Sequence, residues 1–306
     1  VDTTIRNADE KINIDALVHR NVALAPLSSY GTGGEADYLA VPGNLKELRA
    51  SLQWANGRHL PITILAGGSN VLISDEGVEG LVIVTTGLTD HHVRGCIFST
   101  QCGLPLDTAI NVSIERSLSG LEPLGGLPGT VGGAVRGNAS AGGLWISELI
   151  EWVDYLDIEG NMYRYQGMDG GFSYKHSPFS DTDHIIYEVA FRLLPNKHTS
   201  EVRLKKEQSR TERLETGQFD LPSAGCMFKN PLGISAGKLI DEAGLKGRRF
   251  GGAGVSEHHA NFIVNYNHTA TSSDIDELAK IVANEVERRE GIVLEREVIR
   301  LGRWNN

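Results

Sequence analysis

Four groups of residues in this chain have the types and spacing to do chemistry. The turn Gly67-Gly-Ser-Asn70 lies between two short apolar runs, Pro61–Leu65 and Val71–Ile73, that read as strands. Successive backbone N–H groups in such a turn form a nest for an anion. Glycines at 67 and 68 permit positive φ and close approach, and Ser69 and Asn70 add side-chain hydrogen bonds. A plain β-hairpin turn would leave the same signature. A second concentration of glycine, Gly120–Gly143, is too apolar for a disordered linker and too rich in glycine for a regular element. Long loops of that kind are usually functional, although Leu121, Leu124, Leu127 and Val131 could also simply fill space. Near the end of the chain, Glu295 and Glu297 fall on one face of an expected strand over 292–301, together with Val293, Ile299 and Leu301. A carboxylate among apolar neighbours resists ionising and can serve as acid, base or electrostatic stabiliser; solvated glutamates on an edge strand are the other reading. Cys226 follows Gly225 beside Lys229, where a cation could activate a thiol or the cysteine could be a small buried hydrophobe.

Other chemistries are excluded. The run Ser235-Ala-Gly-Lys238 has leucine where a P-loop needs Ser or Thr for magnesium, and neither glycine cluster matches GxGxxG between a strand and a helix. Two glycine loops without those patterns could still grip a pyrophosphate from both sides. His258 and His259 have no third ligand nearby, and three cysteines without a CxxC pair suggest neither zinc nor a disulfide framework, so no metal is expected. The net charge of −10 argues against a nucleic-acid surface, and no apolar run is long enough to span a membrane. Acidic residues at 2, 9, 10 and 15 stand where a signal peptide needs a basic patch and an apolar core, so a cytoplasmic location is expected.

The elements that must position these residues follow from periodicity. With 306 residues, 40% hydrophobic and 22% charged, the chain has material for about two domains. A weak helix is expected over 1–20, with Ile12, Ala16 and Leu17 inward, then a loop over Pro26–Glu35 and a strand at Tyr38–Val41. Asn44 caps a helix through Asn56, with Gly57 its stop, and Pro105 opens another to about Ser117. Leu81–Val84, Cys96–Thr100, Trp152–Ile158 and Ile185–Leu194 read as strands. A boundary is placed near 196, before a charged connector helix over 199–216. Ser235 and Gly244 bound a short helix. The strongest helix runs from Asp274 to Glu290, with Ser273 and Asp276 as a capping box and Ile275, Leu278, Ile281, Val282 and Val286 as its buried stripe.

Taken as an ordered set, these segments resemble the UDP-N-acetylenolpyruvoylglucosamine reductase family, FAD enzymes that make UDP-N-acetylmuramic acid for peptidoglycan. The resemblance rests on Tyr30–Ala36, Gly67–Leu72, Gly125–Gly143, Phe172–Phe179, Ser223–Pro231, Ala236–Leu245, Val255–Asn265 and Leu294–Val298. It implies an α+β fold: an FAD-binding domain of the vanillyl-alcohol-oxidase (PCMH) type over 1–196, two subdomains split near 100, and a C-terminal α/β substrate-binding domain over 197–306. The final strand would return to the active-site seam. By resemblance, Gly67, Gly68, Ser69, Asn70 and Val71 form one wall of the FAD pyrophosphate site, and Gly129, Thr130, Gly132, Gly133 and Asn138 the other. NADPH would reduce the flavin and leave, and the enolpyruvyl ether would then take hydride from N5 in the same pocket.

The family's catalytic motifs fall on Lys175, Cys226 and Glu297. Glu297 matches the pattern, whereas Lys175 stands where arginine is usual and Cys226 where serine is usual. Lysine keeps the charge but loses the planar, two-pronged hydrogen bonding of guanidinium. A thiol gives up its proton more readily than a serine hydroxyl, so Cys226 is the expected proton donor, and thiol alkylation is expected to inactivate the protein. Tyr174, Lys229, Asn230 and Lys238 match segments that handle the UDP-sugar substrate. The chain lacks the tyrosine-bearing insertion of one subgroup and fits the shorter second type, with a monomer expected. An FAD-dependent oxidase of the same fold, or a homologue that binds flavin or UDP-sugar without catalysis, are the alternatives.

Overall fold

A computed structural model describes residues 12–304 except 216, 218 and 232. The expected helix over 1–20 lies partly outside the described residues; of the rest, only α1 (Ile14–Leu17) is helical, and the chain enters β1 (Val18–Ala23) directly. Pairing with β2 (Glu35–Ala40) outweighs the weak helical periodicity there. A four-stranded sheet follows in the order β1-β2-β5-β3, with β3 at Ile62–Leu65 and β5 at Val78–Val84. β5 is parallel to both β2 and β3, and this position between two strands explains its almost unbroken apolar sequence. Helix α2 (Leu45–Asn56) starts where Asn44 Oδ1 accepts the Glu47 N–H at 3.0 Å, and it buries Leu48, Leu52 and Ala55.

A second, antiparallel sheet has the order β12-β11-β13-β7-β6, comprising Met162–Gln166, Ile150–Leu156, Ile185–Arg192, Ile97–Gln101 and His91–Arg94. The division between the first two sheets therefore lies between Val84 and His91, not near 100. Helix α3 (Leu106–Glu115) packs its Leu106, Ala109, Ile110 and Ile114 into the core shared by both sheets. The glycine-rich stretch, expected to hold no regular element, contains helix α4 (Val131–Arg136) and a tight hairpin of two-residue strands, β9 (Ser140–Ala141) and β10 (Leu144–Trp145). Burial of Val131 and Val135 and the Thr130 cap outweigh the low helix propensity of glycine. The two-residue strands β8 (Leu118–Ser119) and β14 (Leu194–Pro195) pair at the edge of this half.

Helix α5 (Thr199–Glu215) is more than a connector. Its Val202 is buried in the first core, and Lys206, 2% exposed, sends Nζ to Asp107 Oδ2 at 2.8 Å and Asn111 Oδ1 at 3.1 Å on α3. The boundary thus lies between Glu215 and the first residue of the C-terminal core, Ala224, and not near 196. Beyond it come α6 (Ala236–Glu242), a small sheet of β15 (Arg249–Phe250), β16 (Ala253–Val255) and β17 (Ile263–Asn265), and α7 (Ser272–Glu290). The last strand, β18, covers only Ile299–Leu301 and runs parallel to β4 (Val71–Ile73) of the first half. The core of the C-terminal half includes Tyr30 and Leu72 from the N-terminal half. Among the described residues, no helix is long and apolar enough to cross a membrane.

Candidate active site

The two glycine loops touch. The turn after β3 is a crossover between sheets rather than a hairpin, because β3 pairs with β5 while β4 pairs with β18. A Cβ on Gly67 would stand 2.9 Å from the Gly129 Cα, and one on Gly129, whose φ is +102°, would stand 2.6 Å from Ser69 Oγ. Such an approach is open only to glycine. Ser69 Oγ also donates to the Pro128 carbonyl at 3.5 Å, and Thr130 Oγ1 accepts from the Gly133 N–H at 3.4 Å to start α4. Gly132 packs against Cys102, and Val71 opens β4 opposite Ile299. Asn138 is buried with Nδ2 donating to the Ser173 carbonyl at 2.8 Å, while its Oδ1 has no partner among the described residues. Two cavities flank the contact: one of about 410 Å³ lined by Ser29, Pro128, Ser223, Gly225 and His268, the other of about 320 Å³ lined by Ser28, Ser29, Ala66, Gly67 and Thr86. Apposed small residues, an orphaned amide oxygen and room on either side fit a bound dinucleotide.

Beside these loops, Lys175, Cys226 and Glu297 come together. Ser173 and His176 exchange two backbone hydrogen bonds, at 3.1 and 3.2 Å, closing a two-residue turn in which Lys175 takes a left-handed φ of +54°. This turn aims Lys175 Nζ at Glu297 Oε1, 2.6 Å away. Burial alone would push the lysine down, but the charge and hydrogen bond of Glu297 outweigh it and hold Lys175 above its ordinary value, hence charged. Cys226 pairs with Phe262 in an isolated bridge, and Met227, next in line, accepts the Glu297 N–H at 2.8 Å. Burial, reinforced by the negative charge of Glu297, pushes the Cys226 thiol up to about 11 against the opposing pull of Lys175 and Asn261. The thiol is therefore held protonated at neutral pH. Lys229 is not its activator, because its Nζ lies 2.5 Å from Glu295 Oε1.

The strand expected over 292–301 is extended without a partner ladder until 299; only Arg296 bridges, to Phe228. Val293 is solvent-exposed, not on a buried face with the glutamates, and the inward residues are Leu294 and Val298. Of the residues matched to UDP-sugar handling, Tyr174 and Asn230 meet: the Asn230 N–H donates to the Tyr174 hydroxyl at 3.1 Å, and Asn230 Oδ1 accepts the Ala236 N–H at 2.9 Å to brace α6. Lys238 does not join them; it is exposed on α6 and faces Glu242 at 3.7 Å. Asn70, expected against the cofactor, also donates Nδ2 to the Glu297 carbonyl at 3.2 Å and accepts the Ile299 N–H at 3.1 Å. Missed in the sequence are Asn261, which clasps the Phe228 backbone with both amide atoms at 3.0 and 2.8 Å, and the pairing of Arg296 with Asp276, a residue expected in a helix cap. No local pattern marks these contacts, because each joins partners far apart in the chain.

Comparisons with known proteins agree in direction. A family profile described as "UDP-N-acetylenolpyruvoylglucosamine reductase, C-terminal domain" matches residues 217–301, and one described as "FAD binding domain" matches 36–165. Over 285 residues, 93% of this chain and 94% of the relative, the sequence is 36% identical to a UDP-N-acetylenolpyruvoylglucosamine reductase of Lactiplantibacillus plantarum. A relative of the same name in Synechococcus sp. strain JA-3-3Ab is 37% identical over 303 residues, covering 99% of this chain and 97% of its own. The crystal structure of the reductase of Thermus caldophilus superposes with a TM-score of 0.79 at 33% identity, covering 93% of this chain and 98% of the other.

Proposed function

The chain belongs to the UDP-N-acetylenolpyruvoylglucosamine reductase family, and on that premise we propose that it reduces UDP-N-acetylglucosamine enolpyruvate to UDP-N-acetylmuramate for peptidoglycan, with bound FAD and NADPH as co-substrate. The observation that carries this reading is the meeting of Lys175, Glu297 and the Cys226 thiol beside two glycine loops that touch. We assign residues from the N-terminus through α5 to the cofactor half and those from about 217 to the substrate half.

Gly67, Gly68, Ser69, Asn70 and Val71 would hold the FAD pyrophosphate from one side and Gly129, Thr130, Gly132, Gly133 and Asn138 from the other, where the Asn138 Oδ1, without a partner among the described residues, would be available as an acceptor. When bound, FAD supplies from N5 the hydride, originally from NADPH, that adds to the terminal carbon of the enolpyruvyl group. The Lys175 ammonium balances the charge that develops on the substrate carboxyl as an enolate forms. Glu297 keeps that lysine charged and oriented. Cys226 then delivers its proton to the adjacent carbon: the S–H bond breaks, a C–H bond forms, and the thiolate left behind is offset by Lys175 until it recovers a proton from solvent. Hydride plus proton account for the two hydrogens added. Tyr174, Lys229 and Asn230 orient the sugar nucleotide, and Lys238 meets its more distant portion.

The test follows NADPH oxidation by purified FAD-loaded protein on adding the enolpyruvyl sugar nucleotide. Substrate-dependent oxidation is the expected result. Bound FAD without it would sink the proposal.

A further inference from the structure

The segment carrying Glu297 is held on its site face by two ion pairs, Glu295 with Lys229 and Glu297 with Lys175. Arg296 lies between these glutamates and reaches the opposite way, to α7. Its Nη1 is 2.5 Å from Asp276 Oδ1, and its Nη2 donates to the Asp276 backbone carbonyl at 3.0 Å. Asp276 is 3% exposed and sits in the buried stripe of α7 with Ile275, Leu278 and Ala279. A carboxylate at such a position is tolerated only with cations, which Arg296, Lys280 and Arg300 supply. On an extended segment side chains alternate, so fixing the direction of residue 296 fixes that of residue 297. The backbone contacts of Glu297, to Met227 and Asn70, set its position along the segment.

We propose that Arg296 is a positioning residue: anchored on Asp276 of α7, it locks the rotation of the terminal segment so that the Glu297 carboxylate meets Lys175 beside Cys226. Only the activity arm of its test rests on the reductase reading. Asp276 also has Lys280 at 3.1 Å and Arg300 at 3.4 Å, so FAD-loaded Arg296→Met leaves the buried carboxylate two cations and is expected to fold. The variant is expected to lose about tenfold in kcat with KM for the UDP-sugar changed by less than about twofold. Its Cys226 should also be alkylated at lower pH, followed by mass spectrometry of the Cys226 peptide, because Glu297 no longer stands fixed beside the thiol. Arg296→Lys should recover most of both properties. Lys280→Met removes a cation from the same carboxylate without touching the segment, and should match wild type in both. Equal losses of kcat in Arg296→Met and Lys280→Met, or an unchanged Cys226 titration in Arg296→Met, would overturn the proposal. Should Arg296→Met not fold, Arg296→Gln, which keeps a donor for the Asp276 carbonyl, takes its place in both arms. The alkylation arm needs no turnover, so a protein inactive as a reductase fails the first measurement and still answers the second.

Discussion

In the proposed reaction the positive charge is supplied by Lys175, which Glu297 contacts directly. The 2.6 Å contact keeps the ammonium charged despite burial. Lys175→Met should therefore lower kcat by about 10²–10³-fold, as removal of one oxyanion-stabilising donor does elsewhere. Lys175→Arg, which keeps the charge, should stay within about tenfold of wild type; steady-state NADPH oxidation decides between a charge role and a packing role. At Cys226 the structure revises a simple expectation of ready alkylation. A thiol pushed up to about 11 leaves on the order of 10⁻⁴ of the sulfur as thiolate at pH 7, and the thiolate is the nucleophile. Iodoacetamide should act slowly at neutral pH and faster with each step toward pH 10, and Cys226→Ser should be insensitive throughout. Fast inactivation at pH 7 traced to the Cys226 peptide would show that the thiol is not held protonated.

At the scale of elements, the clamp depends on the absence of side chains where β3's crossover meets the loop before α4. Gly129→Ala would drive a Cβ to 2.6 Å from Ser69 Oγ at a φ of +102°, strain that L residues avoid. FAD affinity of the deflavinated protein, read by flavin fluorescence, should weaken at least about tenfold, one to two kcal/mol being the usual scale of such backbone strain. Gly137→Ala at the end of α4, with ordinary φ and its nearest atom 3.6 Å away, should bind as wild type does. The same contrast explains what the sequence could reveal. Asn44 and Gly57 bound α2 because capping is local, and the glycine turn at 67–70 declares a backbone purpose by composition. Helix α7 starts two residues ahead of the expected Asp274, since Thr271 and Asp274 form the capping box rather than Ser273 and Asp276. Asp276 is instead drawn inward by Arg296, a partner that no window of neighbouring residues contains. Helix α4 is hard to read from sequence for a related reason: its glycines are unfavourable alone, and burial of Val131 and Val135, with the Thr130 cap, stabilises it.

Across the whole molecule, the two halves are joined both at the site, where Asn70 donates to the Glu297 carbonyl, and away from it. Asp75, in the turn after β4, accepts the first N–H groups of α7 from Ser272 and Ser273, both at 2.8 Å, so the cofactor half caps the longest helix of the substrate half. β18 runs back beside β4, and Leu72 is buried in the C-terminal core. Asp276 then ties α7 to the terminal segment, which makes it a point where stability and site geometry share one charge. Burial raises its carboxyl, but Arg296, Lys280 and Arg300 outweigh that and hold it below the usual carboxylate value. A depressed folded value means stability that is present above the unfolded value of about 3.9 and lost as pH falls through the folded one. Urea unfolding midpoints of the wild type should thus decline on acidification below about pH 4. Asp276→Asn should start about 3 kcal/mol lower at pH 7, the scale of breaking a buried pair, and should decline less over the same interval. Parallel curves for the two proteins would mean that Asp276 is not the charge through which acid loosens α7 from the active-site segment.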